Sequence, residues 1–229
     1  MTELPTSGIT KPDGLFTGDQ LDLVFQSVSC GNTDGRFWLD SAERPGLGLL
    51  WDQGNKVFYL DSLESAGDQS ELQKILTDVI YPSAMEVGLQ YFNVHTLSDN
   101  LPSTAEAIFA RWLKGNRTKH FYTSSPESIP QAEASVSGIS YHAADQNLFD
   151  TSGLMDLNHV LAEIDWMWSS VDAYNRHGFG CVATSNNDVA CWCTAEYVSN
   201  DRCGIGIETA EAYRGQGIAT ATAARFVEM

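Results

Sequence analysis

The stretch with the clearest chemical potential is residues 214–219, which read Arg-Gly-Gln-Gly-Ile-Ala. Gly215 and Gly217 carry no Cβ, so the backbone there can adopt unusual dihedral angles and approach a ligand closely. If a helix begins at Gly217, the N–H groups of its first turn are unpaired and, with the helix dipole, favour an anion. Arg214 adds a positive charge that can bind phosphate through two N–H groups. These residues predict a pyrophosphate-binding loop.

Two elements must position this loop. Before it, residues 203–209 alternate apolar and small or polar side chains with the period of two that is typical of a β-strand. After it, residues 217–229 are rich in alanine, the strongest helix former, and contain no helix breaker. The sequence therefore predicts a strand, a loop and a helix, with the anion at the helix N-terminus.

Two common phosphate-binding loops do not fit these residues. A P-loop ends in Gly-Lys-Ser or Gly-Lys-Thr, whereas Gly217 is followed by Ile218 and Ala219. A dinucleotide-binding fingerprint requires glycine or alanine at the position of Thr220. The pattern that remains is Arg/Gln-x-x-Gly-x-Gly/Ala.

In this setting the pattern resembles the GNAT superfamily of acyl-CoA N-acyltransferases. Residues 206–220 are similar to the fourth strand, loop and third helix of that fold, and most similar to a bacterial subgroup that includes zwittermicin-A-resistance-type proteins. The resemblance implies that acetyl-CoA or another acyl-CoA is the co-substrate, that no metal is needed, and that an amine attacks the thioester directly. The cofactor-binding residues that it implies are Ile207, Thr209, Arg214, Gly215, Gln216, Gly217, Ile218, Ala219 and Thr220.

The residues upstream of the loop follow the element order of the resembled family. A short strand is predicted over 138–142, an amphipathic helix over 154–174, and two strands over 178–185 and 189–198, joined by a polar turn. The expected fold class is α/β (α+β), with a GNAT-like mixed, largely antiparallel sheet flanked by helices. A smaller α/β subdomain is expected to precede it.

The first half of the chain carries its own pattern of strands and helices. Residues 47–51 and 57–60 flank a turn and predict a hairpin. Apolar residues at helical spacing predict a helix over 69–87, which Pro82 is expected to bend or end. The remaining predicted elements are a strand over 90–96, a helix over 103–113 and a strand over 117–122.

Composition shifts divide the chain. We expect an N-terminal α/β subdomain over 1–123, a Ser- and Pro-containing linker over 124–137 and a GNAT-like acyl-CoA-binding domain over 138–229.

In the resembled fold a fifth strand and further elements complete the acceptor site, and the third helix here is interrupted without a cap signal. We therefore expect a truncated chain, or one that another chain completes; a homodimer is among the assemblies left open.

Glu208 is the candidate general base, which would remove the proton of an ammonium group. It lies on the strand next to the loop and points away from Ile205 and Ile207, so it faces the cleft if those two residues face the core. The alternative is an exposed or ion-paired strand carboxylate. The resembled fold draws its thiolate-protonating acid from a region that follows the third helix, so we name no acid.

Charge and composition limit the partners. Thirty acidic residues against 13 basic ones give a net charge of −17, which argues against nucleic acid or an anionic membrane surface. This field would attract a small, cationic amine acceptor, but the more common reason for such a charge is solubility or a salt-adapted host. No long apolar run or leader is present, so a cytoplasmic protein is expected.

The alternative to an acyl-CoA-dependent N-acyltransferase is a non-catalytic CoA-binding or protein-interaction module, or an inactive fragment.

Overall fold

The computed structural model describes residues 1–63, 73–90, 92–97, 115, 122–125, 135–151 and 153–229. The chain divides into two compact units, Met1–Phe121 and Tyr122–Met229. None of the helices in the described part of the chain has the length and apolar character needed to cross a membrane.

The first unit is built on a five-stranded sheet in the order β1-β2-β3-β4-β5, which is antiparallel except for the parallel pair β4–β5. The predicted hairpin is confirmed, since Leu47 lies opposite Ser62 and Asp52 opposite Val57. The elements are β1 (Thr2–Leu4), α1 (Asp19–Ser29), β2 (Gly35–Leu39), β3 (Leu47–Asp52), β4 (Val57–Ser62), a π-helical segment (Ile75–Ile80), α2 (Tyr81–Glu86) and β5 (Asn93–Thr96). The sequence prediction missed the first three of them, β1, α1 and β2.

The prediction that Pro82 bends or ends the helix is wrong as regards ending it, because the helix continues to Glu86. Pro82 lies in the first turn of α2, directly after the π-helical segment, where a missing N–H group is tolerated. The predicted helix over 103–113 lies outside the described residues, as does the predicted strand over 117–122 except for Tyr122, which is not in a strand.

The second unit is a four-stranded, fully antiparallel sheet in the order β6-β7-β8-β9. The mixed, largely antiparallel α/β fold class is confirmed. Asn186, with a φ of 53°, lies in the tight turn between β7 and β8. The elements are β6 (Ser140–Ala143), α3 (Gln146–Thr151), α4 (Leu157–Met167), α5 (Val171–His177), β7 (Gly180–Ser185), β8 (Asp188–Ser199), β9 (Arg202–Thr209), a short 3-10 helix (Glu211–Tyr213) and α6 (Ile218–Val227).

The single helix predicted over 154–174 is wrong, because the structure has two helices there, α4 and α5. The backbone becomes extended at Trp168, with φ −112° and ψ 154°, and the indole N–H donates a buried 2.8 Å hydrogen bond to the carbonyl of Ala195. Ser170 then caps α5 by accepting a hydrogen bond from the N–H of Ala173. The hydrophobic period continues across this break, so periodicity alone does not reveal it.

Helices cover both faces of β8, the central strand of this sheet. Cys191 and Cys193 on one face are fully buried, and Trp192 on the other is only 6% exposed. Cys191 shares a core cluster with Ile218 of α6, so α6 covers the cysteine face. Because α4 also packs against β8, it covers the Trp192 face.

Candidate functional site

The predicted loop connects β9 to α6. Gly215 and Gly217 have φ angles of 75° and 78°, in the left-handed region that favours glycine. A Cβ atom built at either position would meet no atom of the residues that the structure describes within 4 Å, apart from its chain neighbours. The glycines are therefore needed for the backbone conformation and not to avoid a protein neighbour, and the space beside them is open to a ligand.

The N-terminus of α6 is open as well. Its first helical hydrogen bond runs from the N–H of Ala221 to the carbonyl of Gly217 at 3.1 Å, and no side chain of the described part of the chain caps the helix. The N–H groups of Ile218, Ala219 and Thr220 therefore have no acceptor within the helix. This is the arrangement that binds phosphate groups at helix N-termini.

The helix itself is held firmly against the sheet. Ile218 is almost fully buried in a cluster with Ala183 and Cys191. The buried hydroxyl of Thr222 donates a 2.9 Å hydrogen bond to the carbonyl of Ile218. The first turn is therefore fixed from its inner side, while its amide end faces outward.

Arg214 extends this site on its exposed side. Its Nε atom donates a 3.0 Å hydrogen bond to the carbonyl of Thr209, the last residue of β9. The Nη atoms have no partner among the described residues. Gln216 folds back instead, since its amide donates to the carbonyl of Ala212 at 3.1 Å. The guanidinium is thus oriented at the strand end and remains available to bind an anion.

The segment between β9 and the loop, which contains the short 3-10 helix, is attached to β8 by two hydrogen bonds. The N–H of Ala210 donates to the carbonyl of Ala190 at 2.9 Å, and the hydroxyl of Tyr213 donates to Oδ2 of Asp188 at 2.9 Å. The hydrogen bond to Asp188 raises the pKa of Tyr213, so the hydroxyl keeps its proton. Tyr213 therefore anchors the loop to β8.

Glu208 is exposed and lies opposite Trp192 of β8, so it projects from the sheet face that α4 covers. Glu208 was predicted to face the cleft on the condition that Ile205 and Ile207 face the core. That condition is wrong, because these isoleucines are 50% and 43% exposed. The buried residues of α6 pack over β7 and β8, which leaves these isoleucines on the outermost described strand uncovered. Glu208 still points away from them, and its role as a base stays a prediction.

Glu163 is a residue of this region that the sequence analysis missed. It lies on α4, three residues after the buried Val160 and four before the buried Met167, and is half-buried. Burial raises the pKa of its carboxyl group, and the carboxylate of Glu208 raises it further. A glutamate on the apolar face of an amphipathic helix is the sequence signal that identifies it.

Three cysteines, Cys181, Cys191 and Cys193, act as core residues, whereas Cys30 is exposed and Cys203 is partly buried. Cys181 lies opposite Cys193 in the sheet, and both are buried. Burial raises the pKa of Cys181 to about 11 and that of Cys193 to about 12, so both thiols stay protonated near neutral pH. Within the described ranges, no three His, Cys, Asp or Glu side chains are grouped to hold a metal ion.

Comparisons with known proteins agree with this geometry. A curated relative, the uncharacterized N-acetyltransferase YdfB of Bacillus subtilis strain 168, is 26% identical over 136 residues, which are 59% of this chain and 50% of the relative. The match thus spans half of the relative's length. A solved GCN5-related N-acetyltransferase-like protein from Streptococcus suis 89/1591 has a similar fold, with a TM-score of 0.58 and 17% identity over 90% of this chain and 77% of that one.

The family model described as GNAT acetyltransferase matches residues 13–229. That range includes the strand, the glycine loop and the helix of the candidate site. The chain belongs to the GNAT acetyltransferase family.

Proposed function

We propose that this chain binds acetyl-CoA, or a close acyl-CoA, through the loop between β9 and α6, and that the acyl group is transferred to an amine. The observation that carries the proposal is the uncapped amide end of α6 beside the guanidinium of Arg214. Membership of the GNAT acetyltransferase family supports acyl-CoA-dependent N-acetyl transfer in general. The proposal goes beyond family membership in two respects: it names acetyl-CoA as the donor, and it names the kind of amine that accepts the acyl group.

Each part of the loop has a distinct task in this proposal. The amides of residues 215–220 donate hydrogen bonds to the pyrophosphate, and Arg214 supplies the positive charge. The backbone of Ile207 and Thr209, at the end of β9, would align the arm that carries the thioester. A chain with a net charge of −17 repels an anionic co-substrate, so these local donors are needed to hold it.

The reaction requires a neutral amine. An amine that arrives as an ammonium ion first gives up one proton, and its nitrogen lone pair then attacks the thioester carbonyl carbon. The carbon–sulfur bond breaks and its electron pair stays on sulfur. The nitrogen loses a second proton as the amide forms, and the sulfur takes up a proton, so one proton is released overall. Glu208 supports the first step, because its exposed carboxylate projects from the strand that leads into the loop.

The proposed acceptor is a small amine that carries positive charge. Glu163 and Glu208 add two carboxylates on the α4 side of the sheet, and neither forms an ion pair among the described residues. The acidic surface of the whole chain would raise the local concentration of a cation.

Calorimetric titration with acetyl-CoA tests the binding step. We expect saturable binding by the wild-type chain, and affinity about 10-fold or more weaker for Arg214→Ala, since a charge-assisted hydrogen bond contributes about 1.5–3 kcal/mol. Arg176→Ala, an exposed arginine on α5, is the matched control and should bind as the wild type does. Equal affinity in all three proteins would contradict the role of Arg214, and no binding would contradict the proposal.

Release of the CoA thiol tests the transfer step. Polyamines, aminoglycosides and amino acids form the acceptor panel, and release above the rate without amine is the expected result for at least one class. Acetyl-CoA binding without thiol release for any amine would favour a binding module over an enzyme.

A further inference from the structure

Glu163 and Glu208 lie in different environments on the same side of the sheet. Glu208 is exposed at the outermost described strand, whereas Glu163 is half-buried in the apolar stripe of α4. Two carboxyl groups whose environments differ in this way can divide acid–base work between them, because the more buried group holds its proton more readily.

The fold places the two residues on the same side of the sheet. Glu208 pairs with Trp192 across β8 and β9, and Trp192 is buried on the face that α4 covers. Glu163 lies between the buried Val160 and Met167 on the inner side of that helix. Burial raises the pKa of the Glu163 carboxyl group, and the charge of Glu208 raises it further.

No cation of the described chain neutralises this pair. Glu163 and Glu208 form no ion pair there, and Glu208 is the charged group whose field acts on Glu163. The other acidic, basic and histidine residues on α4, α5, β8 and β9 are His159, Asp165, Asp172, Arg176, His177, Asp188, Glu196 and Arg202. None of them contributes comparably to the raised pKa of Glu163. An ammonium ion is therefore the complement that the pair is suited to receive.

We propose that Glu208 holds the ammonium group of the acceptor and that Glu163 takes its proton. This inference rests on the proposed function and moves the base role from Glu208 to the helix. One N–H bond of the ammonium breaks, its electron pair stays on nitrogen, and the proton is carried by the Glu163 carboxylate and passes to solvent. The freed lone pair then attacks the thioester as described above.

The direct test is the titration of the Glu163 carboxyl carbon, followed by NMR in protein labelled with ¹³C at glutamate side chains. In the wild type we expect Glu163 to titrate above the ordinary glutamate pKa of 4.5, and Glu208→Gln to shift it downwards. Asp165→Asn, which removes an exposed carboxylate from the same helix, is the matched control and should leave the titration unchanged. Titration of Glu163 at 4.5, or no response to Glu208→Gln, would overturn the proposal.

Steady-state kinetics distinguish the role proposed for Glu163 from that proposed for Glu208. Glu163→Gln should lower kcat by about 100-fold or more, as expected for loss of an acid–base group, and remove the acidic limb of the pH profile. Glu208→Gln should chiefly raise the KM for the amine. Full activity and an unchanged pH profile in Glu163→Gln would overturn the inference. If acetyl-CoA still binds and thiol is still released in that case, the proposed function stands and only the role of Glu163 falls.

Discussion

The hydroxyl of Tyr213 donates a 2.9 Å hydrogen bond to Oδ2 of Asp188, across 25 residues of sequence. This bond ties the turn that follows β9 to the first residue of β8. The loop begins at the next residue, Arg214. The position of the phosphate-binding loop therefore depends on a side-chain contact as well as on the strand and helix that flank it.

Tyr213→Phe removes that bond and leaves the ring in place. We expect a lower Tm and acetyl-CoA affinity reduced several-fold, because a less ordered loop must be fixed on binding. Tyr141→Phe is the control, since the Tyr141 hydroxyl has no hydrogen-bond partner among the described residues and its removal should cost little. Thermal unfolding and calorimetry measure the two effects. A Tyr213→Phe protein that matches Tyr141→Phe in both would show that the anchor is unimportant.

Gly217→Ala tests the left-handed backbone at the start of α6. A Cβ atom fits in the space there, but a φ of 78° is unfavourable for alanine, so we expect a loss of about 1–2 kcal/mol in the free energy of unfolding. Gly153→Ala also places a Cβ in open space, without a left-handed φ, and should change stability by less than about 0.5 kcal/mol. Chemical denaturation measures both. Equal stabilities would contradict the conformational argument.

Trp168→Phe tests the break between α4 and α5. The substitution leaves the buried carbonyl of Ala195 without its 2.8 Å partner, so we expect a loss of about 1–3 kcal/mol in unfolding free energy. Trp166→Phe, in the last turn of α4 and 51% exposed, is the matched control and should have a much smaller effect. If both variants lose the same stability in urea, the hydrogen bond is not what fixes the break.

Much of the second unit could be predicted from its sequence. The strands, the glycine loop and the alanine-rich helix follow from local patterns, namely a period of two, paired glycines and strong helix formers. The break at Trp168 could not be predicted in this way, because it depends on a hydrogen bond to Ala195 on a distant strand. The exposure of Ile205 and Ile207 likewise depends on how far α6 extends over the sheet.

The candidate site, too, could be predicted from local sequence only in part. Arg214 and the two glycines lie within four residues of one another, so the sequence alone predicts that they form one binding loop. Glu163 is 45 residues from Glu208, and only the packing of α4 over the sheet brings them together. Predicting that pair requires the order of the layers, which local sequence does not specify.

Glu163 also makes stability depend on pH. Its pKa is higher in the folded protein than the ordinary 4.5, so the folded state binds more protons than the unfolded state above that pH. Wild-type stability should therefore fall relative to Glu163→Gln as the pH rises from 4.5 through the raised value. Denaturation at pH 4 and pH 8 checks this. A stability difference that is the same at both pH values would contradict the raised pKa.

The most direct test of the phosphate-binding loop is amide chemical-shift mapping by NMR during titration with acetyl-CoA. We predict saturable shifts centred on the amides of residues 215–220, and their loss or strong weakening in Arg214→Ala. Saturable shifts that leave these amides unchanged, or no shifts at any concentration, would contradict the assignment of this loop as the acyl-CoA pyrophosphate site.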